Sequence, residues 1–136
     1  MKVRINWQGH RSFSAKTGSG HNISMDGPPE HGGRNLAARP MEMILVGLGG
    51  CSAFDVMEIL EKSRQSVSDC QIEIEAVRAD AVPAVFTKIH LHFIISGNGL
   101  KEKLVQRAVD LSMEKYCSVV VMLRDKVDIS YDYVIE

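Results

Sequence analysis

The stretch RPMEMILVGLGGCSAFDVMEIL, residues 39–60, decides how the rest of the chain is read. Pro40 suits the first turn of a helix, where its missing N–H costs nothing. Glu42 lies close enough to that end to favour the helix dipole. From Met43 to Phe54 no charged residue occurs, and a helix apolar on every side is covered by other elements or by another chain. Gly47, Gly49 and Gly50 each weaken a helix by up to ~1 kcal/mol, so the close approach of another backbone is expected to compensate. Cys51 sits near the middle of this central helix.

Composition sets the outer bounds. A chain of 136 residues is expected to form a single domain, 1–136. Lys and Arg number 16 against 17 Asp and Glu, with no basic stripe, which argues against a nucleic-acid partner. The uncharged run is far below the ~20 residues that span a bilayer, and the first residues alternate like a strand rather than a signal peptide. A cytoplasmic protein with no membrane partner is the expectation. Three cysteines without metal-type spacing speak against a secreted disulfide scaffold; in a reducing compartment a cysteine pair is more often catalytic or redox-sensing.

Working outward, Val3, Ile5 and Trp7 alternate with polar residues as in a half-buried strand. Residues 11–15 and 21–25 are expected to complete a small antiparallel meander, bounded by glycines. Residues 26–39, with Pro28, Pro29, Gly32 and Gly33, form a long irregular loop. Beyond the helix, residues 70–76 and 86–95 alternate as two strands of a hairpin. Residues 99–117 read as a second helix capped by Asn98, whose stripe Leu100, Leu104, Ala108 and Leu111 buries one face. A short helix at 118–124 and a strand at 127–135 close the chain. This order is α+β, two helices on antiparallel sheets.

Cys51 and Cys117 both fall on helices. Two such cysteines can meet across a helix pair and pass from sulfenic acid to disulfide, or each can be a small buried hydrophobe. Cys70 points with Ile72 and Ile74 on its strand and reads as structural. His90 and His92 share a polar strand face with Lys88, within cross-strand reach of Glu73 and Glu75, so a paired surface is favoured over a metal site. Asp55 and Glu58 face an interface or mark the wetter end of the central helix.

The apolar helix running through Gly-Gly-Cys-Ser-Ala at 49–53, followed by Tyr-Cys-Ser-Val at 116–119 in a matching order of elements, resembles the OsmC/Ohr family of osmotically inducible and organic-hydroperoxide-resistance proteins. The likeness is nearest to its OsmC-like branch, the YhfA-type proteins. It implies an OsmC-like fold, with antiparallel sheets around two central helices carrying the cysteines, in an intertwined homodimer with sites at the subunit interface. It also implies a cysteine-based peroxidase of organic hydroperoxides without metal, haem, flavin or other cofactor, in which Cys51 is peroxidatic, Cys117 resolves it, and a dithiol reductant reopens the disulfide. The well-studied branches place a Glu directly after the helix-starting Pro. Here Met41 stands there and Glu42 comes next, turned by ~100° around the helix. They also hold the thiolate with an Arg; Arg11, Arg34 and Arg39 lie upstream of Cys51, and Arg34 is preferred.

That cation matters because a free cysteine of pKa ~8.5 is only a few per cent thiolate at neutral pH. Leu48, Phe54, Met113 and Tyr116 are expected to surround Cys51 with an apolar pocket. The alternative function is a non-catalytic OsmC-like redox sensor, or a binder of an apolar small molecule.

Overall fold

The computed structural model describes residues 1–136 and divides into two compact units, Met1–Val46 and Gly47–Glu136. In the first, β1 (Val3–Trp7), β2 (Phe13–Thr17) and β3 (Asn22–Met25) form an antiparallel sheet in chain order. Its register sets Trp7 opposite Phe13 and Phe13 opposite Met25. The alternation of β1 is present, but its burial is not: Val3, Ile5 and Trp7 are 58–68% exposed. Three strands supply no second layer over that edge, so alternation alone cannot bury it.

The loop after β3 is organised by one side chain. Asp26, 1% exposed, accepts hydrogen bonds from the backbone N–H of Gly27 (2.7 Å), Leu36 (3.1 Å) and Arg34 (3.3 Å). Burial opposes its charged form, yet these donors and the Ser12 hydroxyl outweigh burial and hold the carboxyl below its usual range. Gly33 is required there, because a Cβ would lie 2.0 Å from the Gly27 carbonyl oxygen.

Helix α1 (Pro40–Lys62) starts in the first unit and continues through the second. In the second unit, β4 (Ser66–Arg78) and β5 (Phe86–Asn98) pair antiparallel, and β6 (Asp128–Ile135) joins the other edge of β5 in parallel. The antiparallel expectation therefore holds for the hairpin and not for the last strand. The loop 79–85 reverses the chain, whereas the helical crossover between β5 and β6 brings it back in the same direction.

That crossover contains α2 (Glu102–Leu111), a π-helical turn (Ser112–Tyr116) and α3 (Ser118–Leu123). The helix expected at 99–117 is shorter at both ends. Asn98 ends β5 instead of capping, and Lys101 is the cap residue, its N–H bonded to Gln65 Oε1 at 2.8 Å.

The core of this unit is Ile89, Leu91, Phe93 and Ile95 of β5 with Leu48, Val56 and Leu60 of α1 and Val105 and Val109 of α2, all at most 1% exposed. Burying such a side chain contributes about 1.5–3 kcal/mol. On α1 the buried residues Leu48, Ser52, Val56 and Leu60 recur every four positions, the stripe of a helix packed on protein along one face. By length and composition alone this 23-residue helix also reaches what a bilayer crossing needs. The glycines behave differently from the expected backbone approach. A Cβ at Gly49 would meet the Ile74 side chain at 2.9 Å, whereas Gly47 and Gly50 face open space.

The polar face of β5 is paired on both sides. Glu73 and Glu75 lie opposite His92 and His90, as the hairpin predicts, and β6 adds Ser130 and Asp132. His92 Nδ1 is hydrogen-bonded to Asp132 Oδ1, while His90 contacts Ser130 Oγ at 2.7 Å and Asp132 Oδ1 at 3.4 Å. The Asp132 hydrogen bond raises His92 above the ordinary histidine range. A raised folded-state value means that the stabilisation is full below the unfolded pKa near 6.5 and is lost as pH rises through the folded value. Titration of the His92 ring by NMR is expected to give a midpoint above 6.5, returning toward it in Asp132→Asn; an unchanged midpoint would show that Asp132 is not the cause.

Candidate redox site

Residues four apart on a helix share a face, and α1 thereby presents Cys51 and Asp55 together, beside the buried Ser52. Cys117 arrives from the other side. The π-helical turn widens the helix before it, and Cys117 leaves helical geometry with φ −66° and ψ 108° while its N–H bonds Ser112 O at 2.8 Å. A single-turn π insertion re-aims the residues on its C-terminal side. The Sγ atoms of Cys51 and Cys117 and a carboxylate oxygen of Asp55 all lie within 4.8 Å of one another. Cys117 is fully buried and Cys51 half-buried; all three cysteines are free thiols.

Two serines line the contact. Ser52 Oγ donates toward Leu48 O (2.9 Å) and Cys117 Sγ (3.3 Å). A hydroxyl has one proton, so it serves one acceptor at a time and is free to turn to the sulfur when that sulfur is anionic. Ser112 Oγ likewise faces Ser52 O (3.1 Å) and Asp55 Oδ2 (3.4 Å). Burial pushes the Cys117 thiol up; Ser52 and the Val120 N–H oppose this, and Cys51 adds to it. Burial also raises the Asp55 carboxyl, with Ser112 opposing and Glu58 reinforcing.

A cavity of about 560 Å³ adjoins Asp55 and is lined further by Glu58, Lys62, Arg107, Leu111 and Tyr116. Of the residues expected around Cys51, Tyr116 lines this cavity, Leu48 and Met113 are buried, and Phe54 faces a different one with Gly50, Met57 and Cys70. Cys70 is not among the donors that converge with Cys51; its thiol is raised by burial and then by Asp69.

The other two candidates have local partners in the first unit. Glu42 Oε1 accepts the Arg39 N–H at 2.8 Å, closing the first turn of α1 as the third-residue acid of a capping arrangement does. Arg34 Nη2 reaches Ser12 Oγ at 3.4 Å. The sequence pattern does not mark Asp55, Ser52 or Ser112 as site residues. The four-residue spacing of Cys51 and Asp55 was a usable signal; nothing in the sequence pointed to the serines.

The sequence pattern of the family described as OsmC-like protein matches residues 32–132. Protein YhfA of Escherichia coli strain K12 is 47% identical over 133 residues, covering 98% of this chain and 96% of that protein. The crystal structure of a hypothetical protein from Aquifex aeolicus VF5 is 32% identical with a TM-score of 0.83, over 99% of this chain and 96% of that one. An organic hydroperoxide resistance protein OsmC from Legionella pneumophila shares the fold, with a TM-score of 0.73 at 19% identity over 97% and 94% of the two chains. The chain belongs to the OsmC family.

Proposed function

We propose that this protein is a thiol peroxidase that reduces organic hydroperoxides. The observation that carries the reading is the approach of Cys51 and Cys117 within 4.8 Å at a buried helix contact. The Cys51 thiolate attacks the terminal peroxide oxygen; the O–O bond breaks, an S–O bond forms, and the departing alkoxide takes a proton and leaves as an alcohol. Cys51 is then a sulfenic acid. Cys117 sulfur attacks the Cys51 sulfur, a disulfide forms, and the hydroxyl leaves as water. Two electrons and two protons from an external dithiol restore both thiols.

The half-buried position favours Cys51 as the sulfur that meets substrate, since Cys117 has no exposed surface. Ser52 is placed to donate to Cys117 as its sulfur becomes anionic, which assists resolution. Arg34 and Glu42 act, on this reading, as the thiolate-holding cation and its carboxylate partner in a cytoplasmic homodimer with sites at the subunit interface. Family membership supports a redox role, and the organic hydroperoxide resistance protein that shares the fold supports the substrate class.

The test is consumption of a bulky organic hydroperoxide and of hydrogen peroxide by the reduced protein with a dithiol. The organic substrate is expected to react faster, and non-reducing mass analysis to find a Cys51–Cys117 link. A link through Cys70, or no consumption with any dithiol, would overturn the reading.

A further inference from the structure

We propose that Cys51, Asp55 and Cys117 also form a binding site for one thiophilic divalent cation of the Zn²⁺ class. Three donor atoms from these residues already lie within 4.8 Å of one another. Tetrahedral zinc, with bonds of about 2.3 Å to sulfur and 2.0–2.2 Å to oxygen, sets its donors roughly 3.5–3.8 Å apart. Metal binding therefore calls for the donors to draw together by up to about 1 Å. The donor set decides the metal: two thiolates with one carboxylate suit Zn²⁺, whereas Mg²⁺ and Ca²⁺ want oxygen ligands throughout.

A second observation is the outer shell. Ligands of metal sites are held by hydrogen bonds from groups behind them. Here Ser52 Oγ stands 3.3 Å from Cys117 Sγ, and Ser112 Oγ stands 3.4 Å from Asp55 Oδ2, so two of the three donors are oriented. The hydroxyls bring no positive charge of their own; the metal supplies it at the donors, while Lys62 and Arg107 stand on the wall of the adjoining cavity. The 560 Å³ cavity that Asp55 and Glu58 line together with Lys62 and Arg107 adjoins the carboxylate donor. Three protein ligands leave a fourth position for water, the arrangement of an open zinc site.

Binding is not a redox step. The two thiols release their protons, two metal–sulfur bonds form, and no electron moves. Its consequence is protection: a thiolate whose charge is shared with the metal is a weaker nucleophile toward peroxide. The site stands whether or not the protein is a peroxidase, because it requires only the three donors.

The experiment is titration of the fully reduced protein with Co²⁺, followed by displacement with Zn²⁺. One equivalent per chain with a sulfur-to-cobalt charge-transfer band is expected, reversed by Zn²⁺, and absent after oxidation to the disulfide. Asp55→Asn and Cys117→Ser are each expected to weaken binding by at least about tenfold, and Ser52→Ala by roughly that much. Cys70→Ser should bind as wild type does. Thiol counts under denaturing and native conditions separate lost ligation from lost folding. No charge-transfer band in reduced protein, a band that survives undiminished in Cys117→Ser, or one that disappears in Cys70→Ser would overturn the assignment.

Discussion

Cys51→Ser is expected to abolish hydroperoxide consumption, leaving only the slow background of the reductant alone. A serine hydroxyl is not ionised at neutral pH and forms no sulfenic acid, so neither step of the cycle remains. Cys117→Ser is expected to behave differently. It consumes a single equivalent of hydroperoxide, gains one oxygen atom on Cys51 and stops, because the sulfur 4.8 Å or less away that would condense with it is gone. Excess peroxide then carries Cys51 toward sulfinic acid, which dithiols do not reverse. Intact-mass measurement after a stoichiometric dose separates the two variants. Equal activity in wild type and Cys117→Ser would mean that an external thiol resolves the sulfenic acid directly.

Phe54→Asp is expected to convert a homodimer to a monomer of low stability. Phe54 is 73% exposed on α1, Val46 is 62% exposed, and Gly47 and Gly50 between them face open space. That apolar surface on the longest helix is what a partner chain would cover. Two-fold symmetry counts each contact twice. Burying one phenylalanine is worth about 1.5–3 kcal/mol, so losing the pair costs roughly 3–6 kcal/mol, or about 100-fold to 10⁴-fold in the dimer dissociation constant. Wild-type protein is expected to sediment as a dimer at micromolar concentration, with a melting temperature that rises with concentration. Its interface should exceed the ~2,000 Å² at which obligate dimers begin. A stable, folded wild-type monomer would remove the proposal.

Much of the architecture was legible in residue pattern. The central helix, the meander before it and the hairpin after it can be read from periodicity, glycine and proline; the helix read at 39–60 is found at Pro40–Lys62, while the hairpin strand read at 70–76 is longer, Ser66–Arg78. The pairing of His90 and His92 with Glu75 and Glu73 was legible too, because a hairpin fixes its own register. Their β6 partners, Ser130 and Asp132, come from a strand some forty residues away whose direction a local pattern does not encode.

For the site, the sequence by itself singled out two thiols as redox candidates, one inside the central helix and one where the second helical stretch ends. It did not determine that they meet. That depended on a π-helical turn at 112–116, which ends the second helix and turns Cys117 toward α1. Only the tertiary structure added Asp55, Ser52 and Ser112 around the sulfurs. The reason is physical: periodicity reports which face of an element is buried, whereas side-chain hydrogen bonds between elements 57–65 residues apart depend on how far each helix is rotated about its axis, and that rotation is set by packing.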